Sequence, residues 1–80
     1  MDKEIIEILE KKINEIKSAN PQINTIIDEF ETLDSNTLFS GIMIGRLFNS
    51  FHYQHRRILK RNPTETEFND FIEFLKNKLD

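Results

Sequence analysis

An all-α fold, a small bundle of four helices, follows from three observations on this sequence. Apolar residues recur at spacings of three and four along most of the chain. The breaks between those stretches hold proline or clusters of capping residues. No strand pattern, an alternation of apolar and polar residues sustained over a strand's length, appears. The 80 residues suffice for one domain, 1–80, and no more.

The first helix runs from Asp2 to Ser18. Ile6, Leu9, Ile13 and Ile16 form its inner stripe, widened by Ile5 and Ile8, and Lys3, Glu7, Glu10, Lys11 and Glu15 fill the outer side. Glu7 and Lys11 have the i,i+4 order that favours pairing. Asn20-Pro21 interrupts the pattern, since proline disfavours helix in the residue before it and suits the first turn of a new one. Asn20 then serves as an N-cap. The second helix extends to about Leu33, with Ile23, Ile26, Ile27, Phe30 and Leu33 on one face. The three–four spacing also continues through the break, so an alternative is one long kinked helix with Asn20 as a polar slot in a heptad seam, giving three helices.

Asp34-Ser35-Asn36-Thr37 opens the third helix, which runs to Arg61 and at about 26 residues spans roughly 39 Å, the longest element. Asn62-Pro63 ends it and makes an αα-hairpin with the fourth. Thr64-Glu65-Thr66-Glu67 is a capping box, a threonine with a glutamate three residues on. Phe68, Phe71, Ile72, Leu75 and Leu79 form the inner face of the last helix. Acidic residues lead that helix and Lys76 and Lys78 close it, as its dipole prefers.

The third helix has two halves. From Leu38 to Phe48 it is apolar nearly all round, which requires enclosure on more than one side. Gly41 and Gly45 lie one turn apart there, each costing about 1 kcal/mol relative to alanine, and close approach by another helix offsets such a cost. That approach comes from within the chain or from a second copy. From Arg46 onward the helix is basic, with Phe48, Phe51, His55 and Ile58 turned inward and Arg46, Tyr53, Arg56, Arg57, Lys60 and Arg61 around the rest.

Charge follows the same division. Residues 1–37 carry a net −5, residues 38–63 a net +5 with no acidic residue, and residues 64–80 a net −3. The basic segment either pairs with the flanking acidic helices or contacts an anion. Overall acidity argues against a dedicated nucleic-acid module. His52 and His55 sit i,i+3, a spacing that can share a metal, but the third helix supplies no carboxylate to complete a site. There is no cysteine, no nucleophile elbow around Ser40 or Ser50 and no glycine-rich phosphate loop, so no catalytic site and no cofactor are expected.

The N-terminus, Met1-Asp2-Lys3-Glu4, is charged and unlike a signal peptide, and no apolar run spans a bilayer, so a cytoplasmic protein without membrane contact is expected. Two phenylalanines, Phe39 and Phe74, fall off the inner stripes and suggest a second buried face. The sequence therefore reads as a non-enzymatic interaction module, a homodimer whose interface includes Phe39, Gly41, Ile42, Gly45 and Phe74. The alternative is nucleic-acid binding through Arg46, Tyr53, Arg56, Arg57, Lys60 and Arg61.

Overall fold

The computed structural model describes residues 1–18 and 21–79, which form four α-helices and one π-helical turn. The reading of Asn20, as cap or as seam residue, lies outside the described residues.

Helix α1 spans Lys3–Lys17. Asp2 caps it, its carboxylate accepting from the N–H groups of Glu4 at 2.9 Å and Ile5 at 3.2 Å. The buried stripe is Ile5, Leu9, Ile13 and Ile16, and Ile6 packs at its edge. Helix α2 spans Pro21–Asp28, five residues shorter than the apolar spacing suggests. Asp28, Glu29 and Glu31 crowd its C-terminal end, where the dipole opposes negative charge. The chain leaves through successive turns, with Phe30 N–H donating to the Ile27 carbonyl at 3.1 Å and Leu33 N–H to the Phe30 carbonyl at 3.4 Å. Ile23 and Ile27 are buried, whereas Ile26, Phe30 and Leu33 are about half exposed.

Helix α3 spans Ser35–Gln54. Asp34 caps it, accepting from both the N–H and the hydroxyl of Thr37. The helix continues to Leu59, but His55–Leu59 is wound as a π turn. At that point Phe51 O accepts from both the backbone N–H and the ring Nδ1 of His55, so a side chain intrudes on the helical ladder. Lys60 then takes the left-handed conformation, φ 60°, and stops the helix.

Helix α4 spans Glu65–Leu79. The capping box forms as its residues require: Glu67 N–H donates to Thr64 Oγ1 at 3.1 Å, and Thr64 N–H donates to Glu67 Oε1 at 2.9 Å.

Helices α1, α3 and α4 make the core. Lys12 shares a groove with residues 46–54, while Ile8 shares one with Gln54 and Arg57, so α1 runs antiparallel to α3. The N-terminal amine pairs with Asp70 at 3.0 Å and Glu10 with Lys78 at 3.1 Å, so α1 and α4 run parallel. The expected Glu7–Lys11 pair is not among the ion pairs formed.

Phe51 and Phe71 stack at the centre, 4.4 Å between centroids and 14° between planes. Met43, Leu47, Ile5, Leu9 and Phe74 pack around them. Helix α2 packs on α3 outside this cluster. The long α3 stretches the molecule to 41 Å, against 20 and 18 Å in the other directions.

Two expectations about the core are corrected. Phe74 is buried in the cluster, with Lys78 Nζ 6.0 Å above its ring, and Phe39 is half-buried against the same cluster. Both belong to this chain's own core rather than to a second face. The parallel course of α1 beside α4 covers a wider face of α4 than one stripe, which a single-helix pattern does not reveal. Conversely Phe68 and Phe48, read as inward, remain 40% and 44% exposed.

Candidate interaction surfaces

Two surfaces of α3 stand out, one apolar and one basic. The apolar surface is built on its first half. Between Ser35 and Gly45 there is no charged residue. A Cβ added at Gly41 or at Gly45 would meet nothing within 4 Å, so among the described residues no helix crosses there. The intramolecular explanation of the two glycines is therefore overturned. Leu33, Asp34, Thr37, Leu38, Gly41 and Ile42 line a shallow apolar depression of about 430 Å³. Ile44, Phe48 and Phe68 lie exposed further along, and Ile26, Phe30 and Leu33 on the α2 side. Of the interface residues read from sequence, Gly41 and Ile42 line the depression, Gly45 lies open one turn on, and Phe39 and Phe74 lie elsewhere. The exposed residues that the sequence pattern hides are Ile26, Phe30 and Leu33, because the pattern continues through a helix that ends at Asp28.

The basic surface begins at Arg46. Of the five cations in residues 38–63, only Arg61 finds a carboxylate among the described residues. Its guanidinium meets Glu67 through two bonds, at 2.6 and 3.1 Å. Among the described residues the general pairing of this segment with the acidic helices does not form. Arg57 Nε donates to Gln54 Oε1 at 2.9 Å instead. Lys12, Arg46, Asn49, Ser50, Tyr53 and Gln54 line one cavity of about 320 Å³. Its neighbour, of about 290 Å³, is lined by Ile8, Lys11, Lys12, Glu15, Gln54 and Arg57. Shared Lys12 and Gln54 make the two one groove between α1 and α3. Of the basic residues read from sequence, Arg46, Tyr53 and Arg57 line it, whereas Arg56, Lys60 and Arg61 do not. Lys11 and Lys12 were missed, although Lys12 adjoins Ile13 of the buried stripe and so had to flank the helix contact.

A third polar cluster joins α3 to α4. His55 is fully buried. Its Nδ1 lies 2.8 Å from Phe51 O, which can only accept, so Nδ1 donates. Its Nε2 lies 3.5 Å from Glu67 Oε2 and is the one buried side-chain nitrogen or oxygen without a hydrogen-bond partner among the described residues. Hydrogen bonds from Arg61, then from the N–H and hydroxyl of Thr64, hold the Glu67 carboxyl down to about 2 against the opposing effect of burial. His52 packs edge-on against Phe48, 4.7 Å between ring centroids. Among the described residues no three of His, Cys, Asp and Glu gather as metal ligands, and no helix is long and apolar enough to cross a membrane.

Neither protein-family models, nor curated proteins, nor solved structures give a match to this chain.

Proposed function

We propose that this chain is a non-enzymatic, self-associating module whose first half of α3 is the seam between two copies. One observation carries the reading: two glycines sit mid-helix on a charge-free stretch, and the space over both is open. A pair of glycines one turn apart lets another helix backbone come close, and an apolar surround rewards that approach. The same stripe on a second copy fits it under two-fold symmetry, because a notch beside Leu38 and Ile42 offers both a groove and a ridge.

Size supports a second copy as the occupant. A chain of 80 residues without disulfides buries only roughly two thirds of its unfolded surface, and association is a usual supplement. Charge supports an antiparallel crossing. Asp34 heads the charge-free stretch and the cations lie beyond its far end, so antiparallel copies bring acidic end toward basic end and parallel copies bring like toward like.

Light scattering and sedimentation across micromolar concentrations test the reading. A dimer is expected, and the double variant Gly41→Leu/Gly45→Leu is expected to be a folded monomer, since the added side chains enter open space within one copy. A wild type that stays monomeric throughout, or a double variant that still dimerises, refutes it.

A further inference from the structure

The groove between α1 and α3 lies on a different stripe of α3 from the glycine notch. Arg46 is one residue out of step with Gly45, hence about 100° further around the helix. From Arg46 the stripe continues through Ser50, Tyr53 and Arg57 at spacings of four, three and four. Lys11 and Lys12 of α1 supply the opposite wall, and Glu15 is the only carboxylate among the lining residues.

We propose that this groove binds a single-stranded nucleic acid, with Lys11, Lys12, Arg46 and Arg57 on the phosphates and Tyr53 against a base. Three observations support that ligand, the first pointing to a polyanion and the other two favouring a nucleic acid over an acidic polypeptide. First, the cations are not spent on internal pairs, as none of the four makes an ion pair among the described residues. Second, Tyr53 stands 52% exposed within the row of cations, where a base can stack on its ring face, whereas a carboxylate would use only its hydroxyl. Third, Asn49 lines the same cavity and offers both donors and an acceptor, and Gln54 adds amide N–H donors beside the oxygen that Arg57 occupies; such amides suit base edges, whereas a row of carboxylates can use donors only.

The dimensions agree with a short strand. Arg46 to Arg57 is eleven residues of helix, roughly 16 Å, or about five nucleotides at the stacked rise of ~3.4 Å per nucleotide. A groove between two packed helices with side chains on both walls does not admit a duplex about 20 Å across by insertion, so the single strand is the form it takes. The acidic residues of α2 and α4 lie off this stripe and repel the strand from other faces. This binding does not depend on self-association.

The test uses fluorescence anisotropy of the full chain with a labelled oligothymidylate of about ten nucleotides, a length that covers the groove with a margin. Four phosphate contacts predict a log–log salt slope of about −3, hence roughly fifty-fold weaker binding at 200 mM than at 50 mM salt. Arg46→Gln/Arg57→Gln is expected to halve that slope. Tyr53→Leu is expected to weaken binding about tenfold at fixed salt. Arg56→Gln/Lys60→Gln removes the same charge from outside the groove and is expected to stay within about threefold of wild type. Circular dichroism confirms that each variant remains helical, as all five altered side chains are exposed and outside the core. Absence of saturable binding at low salt overturns the proposal. So does equal weakening by the two charge-removing pairs, equal affinity for a duplex of the same length, or equal competition by polyglutamate of matching charge.

Discussion

Replacing Gly41 and Gly45 with alanine separates a solvent-facing notch from an occupied one. Both glycines lie in the interior of α3, where glycine is less favourable than alanine by about 1 kcal/mol each. The added Cβ atoms meet nothing within 4 Å, so within one copy nothing offsets the gain in helix propensity. The double variant is therefore about 2 kcal/mol more stable as a monomer. For a chain of this length that corresponds to a rise in Tm of about 8–16 °C. In the dimer the same methyl groups stand between two backbones, and overpacking costs about 1–3 kcal/mol. Thermal melts followed by circular dichroism, at protein concentrations about a hundredfold apart, read both effects because association makes Tm concentration-dependent. At the low concentration the variant melts higher than wild type. At the high concentration wild-type Tm climbs, the variant's does not, and the gap closes or reverses. A gap that stays constant across concentration means that the notch is empty in solution and refutes the reasoning.

Further perturbations address the fold itself. The Glu67 carboxyl, held near 2 against an ordinary 4.5, stabilises the fold above the unfolded value and ceases to do so as pH falls from about 4.5 through about 2. Urea unfolding across that window should lose on the order of 1 kcal/mol, the half-exposed Arg61 being partly screened. Glu67→Gln, which still completes a capping box, should flatten that acid limb, and an unchanged limb would assign it to other carboxylates. Phe51→Ala or Phe71→Ala breaks the central stack at a cost of about 3–5 kcal/mol, comparable to the whole stability of a domain this small, so helicity at 25 °C should collapse. Retained helicity in either variant would show that the stack is dispensable. Lys60→Gly relieves a left-handed residue that costs about 1–2 kcal/mol, partly offset by the greater unfolded freedom of glycine, and should raise Tm by a few degrees. A lower Tm would show that the Lys60 side chain contributes more than its backbone loses.

Much of this architecture was legible because its signals are local. Asp34, Thr64 and Glu67 cap helices through bonds that span three residues, so their type and spacing suffice. The buried stripe of α1 follows from periodicity, shifted by one residue toward Ile5. The end of α2 was less legible, since Ile26, Phe30 and Leu33 keep the apolar spacing beyond Asp28 while three acidic residues oppose the dipole. Nothing local marks the π turn at His55–Leu59, because it depends on where the imidazole of a buried histidine finds an acceptor.

By itself the sequence determined the helical class, the presence of a break between the third and fourth helices, the capping residues and the split of α3 into an apolar and a basic half; the third helix itself ends at Leu59, short of the expected Arg61, where Lys60 turns left-handed. These depend on neighbours within one turn of the chain. Tertiary structure alone decided which faces remain open. It buried Phe74 and packed Phe39 against the core, and left Phe48 and Phe68 in solvent. It left Gly41 and Gly45 uncovered, because α2 packs on another side of α3 and α4 contributes its aromatic residues to the basic half. It also set Lys11 and Lys12 beside Arg46 and Arg57, from helices more than thirty residues apart. Burial and charge proximity are properties of pairs of helices, and one helix's periodicity cannot specify the partner that fills its face.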